Sequence, residues 1–153
     1  MLEQDLKIVR ETIEELLQKL CVEAQIETRI ADDNVTIFNL RSLDSALLIG
    51  SRGASLGALQ HILRVLLSRK LSASPHIVLD VEDYKRSRED FLRELAKQAA
   101  ERVIDTKQTL LLKPMMAYER RVVHSEIARF PEVVSESRGD EPERRVVIKP
   151  ATY

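Results

Sequence analysis

Residues 47–67 read LLIGSRGASLGALQHILRVLL, an apolar helical run broken at Gly50-Ser51-Arg52-Gly53 and then resumed. Two glycines three positions apart make a tight helix–turn–helix whose tip carries no side chain at Gly50 or Gly53. A nucleic-acid backbone can approach the main chain there. The N–H groups that open the second helix, reinforced by its dipole, favour a phosphate, and Arg52 adds a positive charge. Other phosphate loops fit poorly. No Lys follows Gly53 as a Walker A loop requires, and a dinucleotide fingerprint needs Gly-x-Gly-x-x-Gly after a strand. A bare Gly-x-x-Gly is more often a plain turn that needs φ > 0, so its neighbours decide the reading.

Upstream, apolar residues at Leu2, Leu6, Val9, Ile13, Leu16, Leu17 and Leu20 have helical spacing. Strands are expected at Val22–Ile30 and Val35–Leu40, with Asp32-Asp33-Asn34 turning between them. Ser42 is expected to cap a short helix over Leu43–Ile49. Downstream, a helix over about Ala54–Lys70 leads through a loop at Ser72–Pro75 to a strand at His76–Val81. A long helix over about 84–107 then carries Phe91, Leu92, Leu95, Ala99, Val103 and Ile104 on its apolar stripe. Leu110–Leu112 is expected as a strand, and Pro114 in the first turn of a helix that runs to about Ala128 and is ended by Pro131. Val133–Glu136 and Arg145–Lys149 form a hairpin around Gly139-Asp140-Glu141-Pro142. The fold class is α+β, in two small domains at 1–82 and 83–153 joined through the long helix and without an internal repeat.

The order helix, two strands, Ile-Gly-x-x-Gly helix pair, strand resembles a type II KH domain over about residues 1–82. The match is carried by Leu48-Ile49-Gly50-Ser51-Arg52-Gly53 and then Leu56, Leu59 and Ile62. The resemblance implies that Gly50, Ser51, Arg52 and Gly53 clamp the backbone of about four nucleotides, with bases in an apolar groove beside the helix and adjoining strand. Family loops often carry a Lys where this chain has Ser51, which leaves Arg52 as the loop cation and implies modest affinity from this module.

In Tyr118-Glu119-Arg120-Arg121-Val122-Val123-His124-Ser125, Arg120 and His124 are four apart and share a helix face. Both side chains can donate to phosphate or stack on a base, while Val122, Val123 and Ile127 belong to a core. On spacing alone, a solvated helix face is the better reading. The stretch that follows, with Phe130-Pro131, Val133 to Gly139 and Glu141 to Ile148, changes the balance. Residues 84–150 resemble the R-three-H domain, named for Arg-x-x-x-His and associated with single-stranded nucleic acid. The resemblance assigns the motif to Arg120 and His124, with Arg121, Ser137, Arg138, Arg144 and Arg145 as neighbouring nucleic-acid contacts.

A KH domain followed directly by an R-three-H domain is similar to the bacterial Jag family, also called KhpB or EloR (the sporulation protein J-associated protein). That resemblance implies a cytoplasmic protein that binds single-stranded RNA, or single-stranded DNA. It also implies partnership with a second small KH protein or a homodimer, and a post-transcriptional role in cell elongation or envelope processes. The family's N-terminal Jag domain is expected to be absent, since the first KH helix starts within a few residues of Met1.

Composition limits the alternatives. The 153 residues carry 24 Lys+Arg against 25 Asp+Glu, a net charge of −1 that by itself argues against a nucleic-acid partner. By segment, residues 1–40 are −5 and residues 41–70 are +4, so the Gly-x-x-Gly region is locally basic. The acidic first helix, the absence of a Lys at Ser51 and the near-zero net charge also motivate a rival reading, a protein-interaction module with little RNA binding. No disulfide is possible with the single Cys21, which is read as an inert buried thiol. His61, His76 and His124 lie on separate elements without metal-ligand spacing, so no metal, cofactor or catalytic residue is expected. No apolar run is long enough to span a membrane, and the acidic start is not a signal peptide.

Overall fold

The computed structural model describes residues 3–31, 34–73 and 76–152. Leu2, Asp32, Asp33, Ser74 and Pro75, which enter the expected helix, turn and loop, lie outside these. The chain divides into two compact units, Met1–Lys85 and Arg86–Tyr153, each with its own hydrophobic cluster. The fold is mixed helix and sheet, the expected α+β class.

In the first unit, α1 (Glu3–Lys19) precedes β1 (Gln25–Ile30), β2 (Thr36–Arg41), α2 (Ser45–Ile49), α3 (Ala54–Lys70) and β3 (Ile77–Val81). The sheet order is β1-β2-β3, antiparallel then parallel. A parallel pair needs a crossover, and here the α2–α3 helix pair with its Gly-x-x-Gly tip supplies it. Strand alternation points Ile26, Phe38, Leu40, Leu79 and Val81 to one face, where they meet Val9, Ile13 and Leu17 of α1 and Leu56, Leu63 and Leu67 of α3. The α1 stripe therefore packs on its own sheet, although Leu20 is exposed. Each fully buried Leu or Phe stabilises the core by about 1.5–3 kcal/mol.

Three expectations here are corrected. β1 starts three residues after Val22, because Leu20, Cys21 and Val22 form the turn that closes α1. Cys21 turns the chain with φ 55°, and the Cys21 and Val22 N–H groups bond back to the Gln18 and Leu17 carbonyls at 3.1 Å. This position leaves Cys21 exposed rather than buried. Ser42 does not cap α2, which starts at Ser45 with Asp44 as N-cap. Its hydroxyl donates to the Glu23 carbonyl at 2.6 Å and accepts the Asp44 N–H at 3.1 Å.

After β3 the chain turns through Glu82 and Asp83, both with φ > 0 (50° and 54°). Arg41 holds both carboxylates, at 3.0 and 2.8 Å, while the Ser42 N–H donates to Glu82 and the Asp83 N–H to Asn39 Oδ1. The Ser42 N–H and then Arg41 hold the Glu82 carboxyl below its usual range. Nothing in the hydrophobic pattern signals this turn.

The second unit contains most of α4 (Tyr84–Thr106), β4 (Leu110–Leu111), α5 (Ala117–Ile127), β5 (Val133–Arg138) and β6 (Arg145–Pro150). The sheet order is β4-β6-β5, antiparallel throughout, and β5–β6 is the expected hairpin. Leu92, Ala96, Ala99, Ala100 and Val103 of α4 pack on Val123 and Ile127 of α5 and on Val133, Val146 and Ile148 of the sheet. Phe91 does not join them. It sits one residue off the stripe and is 55% exposed, with the Arg88 guanidinium 5.2 Å from its ring centroid. Pro114 is not in α5, because the Met115 N–H pairs with the Arg144 carbonyl at 3.2 Å and keeps the chain extended. α5 stops at the Ala128 cap, as expected, three residues ahead of Pro131.

Candidate nucleic-acid interface

The Gly-x-x-Gly tip is built by steric demand. Gly50 adopts φ 71° and ψ −172°, and a Cβ there would lie 2.2 Å from Ser55 Oγ and 2.8 Å from the Ser55 nitrogen. Gly53 adopts φ 82°, and a Cβ there would lie 2.9 Å from Tyr84 Cε1. Only glycine fits either position. Between them Ser51 and Arg52 are exposed, with Arg52 itself left-handed at φ 52°. One 3₁₀ turn, Ser51–Gly53, leads directly into α3, so the tip presents a hydroxyl and a guanidinium at a helix start. Leu43, just before α2, and Leu47 within it are exposed apolar side chains on the approach to this tip. Sequence reasoning did not single them out, although their i, i+4 spacing off the core stripe was the available signal.

In the second unit α5 places Arg120 and His124 one turn apart, but their donors turn inward to the hairpin. Arg120 is buried. Its Nη1 donates to the Met115 carbonyl at 2.7 Å and its Nη2 to Glu141 Oε1 at 2.6 Å. His124 Nδ1 lies 2.7 Å from Ser135 Oγ and Nε2 lies 2.8 Å from Ser137 Oγ. The ring thus spans two hydroxyls that β5 alternation sets on one side. Ser137 was among the sequence candidates; Ser135 was not, though its two-residue offset was the signal.

The remaining candidates lie around this core. Arg121 is exposed and lines a cleft with Arg93, Val122, Ser125 and Glu126. Arg138 pairs with Glu136, and Arg145 with Glu143 at 3.4 Å. Arg144 donates to the Gly139 carbonyl at 2.9 Å. Arg138 and Arg145 are direct cross-strand partners, so basic side chains cluster at the end of the hairpin. Beneath, Glu119 is fully buried. It accepts from Arg88 Nε at 2.7 Å and from the Met116 N–H at 2.9 Å, closing the start of α5.

Burial first, and the neighbouring Arg120 charge second, push the His124 pKa below its ordinary 6.5. The folded state therefore prefers the neutral ring. Its contribution is fully present above pH 6.5 and is lost as pH falls through that value toward the lower folded pKa. Urea unfolding at a series of pH values is expected to show stability declining over that window. His124→Asn is expected to flatten the decline; an unchanged slope would remove His124 as its source.

Among the described residues no cluster of three or more His, Cys, Asp or Glu could hold a metal ion, and no helix is long and apolar enough to cross a membrane.

Residues 90–150 match the R-three-H domain family. The chain is 34% identical over 129 residues to the RNA-binding protein KhpB of Clostridium symbiosum, covering 84% of this chain and 58% of that protein. It is 32% identical over 133 residues to the protein of the same name in Lactiplantibacillus plantarum (87% and 41%). It is 27% identical over 148 residues to that of Bacillus subtilis (95% and 69%). The chain spans 58% and 41% of the length of the first two of these relatives.

Proposed function

We propose, from the match of residues 90–150 to the R-three-H domain and the similarity of most of the chain to proteins named RNA-binding protein KhpB, that this chain binds single-stranded RNA. The observation that carries this reading is the Gly-x-x-Gly tip. Two positions that accept no Cβ hold Ser51 and Arg52 outward at the start of a 17-residue helix. In this reading Gly50, Ser51, Arg52 and Gly53 hold phosphates of the strand. Arg120, Arg121, His124, Ser137, Arg138, Arg144 and Arg145 form a second contact surface, and residues 1–82 act as the KH-like module. No catalytic step is assigned. A cytoplasmic post-transcriptional role in cell elongation or envelope processes extends the same proposal.

Partnership with a second small KH protein, or a homodimer, is supported by Ile62 and Val65, exposed apolar side chains on α3. One observation favours the interaction-module reading: the Arg120 and His124 donors are already engaged within the chain.

Binding of a labelled single-stranded oligonucleotide, read by fluorescence anisotropy, separates the two. RNA binding is expected to weaken with salt, log K falling by about 0.7 per tenfold rise in salt for each phosphate contact. Arg121→Ala is expected to reduce that slope by roughly one contact. Absent or salt-insensitive binding, together with stable self-association, would favour the interaction module.

A further inference from the structure

Among the donor contacts of Arg120, one partner can leave. Nη1 is held by the Met115 carbonyl at 2.7 Å, and that carbonyl moves only with the backbone. Nη2 is held by the carboxylate of Glu141, in the turn between β5 and β6, at 2.6 Å. The Arg120 side chain is 9% exposed and the Glu141 side chain 59% exposed. The two partners are therefore unequal. Releasing Glu141 into water costs little, since its carboxylate is already largely hydrated. Leaving the buried guanidinium without an anion is strongly unfavourable. Arg120 thus needs a negatively charged partner, and the one it has is replaceable.

Resting on the RNA-binding reading above, we propose that Arg120 is the centre of an anion site, that Glu141 is its resident occupant, and that a backbone phosphate of the bound strand displaces it. The chemistry selects phosphate over a base edge. A phosphate returns the full negative charge and matches the planar fork of a guanidinium, whereas a base carbonyl is neutral and leaves the charge uncompensated. The carbonyl of Met115 keeps the fork aimed while the occupant changes. Arg138, Arg144 and Arg145 flank the turn that carries Glu141, and Glu136 and Glu143 pair with the first and the last of them. Glu141 sets the threshold: a ligand enters only if it outcompetes a carboxylate already in place.

The test is Glu141→Gln in the full chain, with a labelled single-stranded oligouridylate at fixed salt. The amide keeps the size of the side chain and removes its charge. Affinity is expected to rise by at least about fivefold, above the range of an exposed ion pair, because the variant's buried guanidinium has no resident anion until a phosphate arrives. On adding the oligonucleotide to the wild-type chain, the Glu141 side-chain carboxyl NMR signal is expected to move to that of a free glutamate. Equal or weaker binding by Glu141→Gln, or a Glu141 signal that stays in place while the wild type binds, overturns this inference and leaves the RNA reading standing. A wild-type chain that fails to bind at any salt overturns both.

Discussion

Ser51→Asp with Arg52→Asp is expected to lower affinity for single-stranded RNA by about thirtyfold or more, roughly 2 kcal/mol, without unfolding the protein. The double change removes the tip cation and sets two anions where phosphates would sit. Charge-assisted hydrogen bonds to phosphate are each worth about 1.5–3 kcal/mol, so losing the set and adding repulsion is the largest functional effect available in this chain. The fold should tolerate it. Both side chains are exposed, and Asp is among the few residues that accept the left-handed conformation Arg52 adopts at φ 52°. Anisotropy with a labelled oligonucleotide, alongside a thermal melt, checks both halves. Undiminished binding with an unchanged melt would move the RNA contact away from the tip. Gly50→Ala serves as the contrast, since its Cβ would meet Ser55 and the tip itself would have to deform.

Glu119→Ala is expected to cause the largest loss of stability, about 3–5 kcal/mol. Its carboxylate is fully buried between Arg88 and the Met116 N–H, and truncation removes both bonds. Arg88, whose side chain is 16% exposed, loses its anion, and α5 loses the acceptor at its first turn. The measurement is urea unfolding, with amide exchange of α5, β5 and β6 locating the loss. A shift below about 1 kcal/mol would mean that water reaches Arg88 and replaces the carboxylate. Because α5 carries Arg120 and His124, the same variant should also weaken any RNA contact made by the second unit.

Much of the scaffold was legible in order and spacing. The periodic stripe of α1, the alternation in β2 and β3, and the glycine pair each report a local rule: which side of an element is apolar, or where φ must be positive. Failures came where a particular backbone hydrogen bond, local or long-range, or an offset of one residue overrode such a rule. Val22 reads as strand, yet its N–H is taken by the end of α1. Pro114 reads as a helix start, yet Met115 pairs with Arg144 across the chain. Phe91 reads as part of the apolar stripe of α4, yet it lies one residue off the buried line of Leu92, Ala96 and Ala99 and sits under Arg88 instead.

Sequence by itself determined the positions of the two motifs, the shared face of Arg120 and His124, and the glycine requirement at the tip. Those follow from backbone geometry within a turn or two. Only tertiary structure decided what the side chains bind. Arg120 meets Glu141 across 21 residues, and His124 meets Ser135 and Ser137 across 11 and 13. Helical spacing says which way a donor points, whereas the acceptor it finds depends on how the hairpin packs against α5. The same packing turns an exposed acid in a turn into the partner of a buried arginine, a pairing that no local pattern encodes.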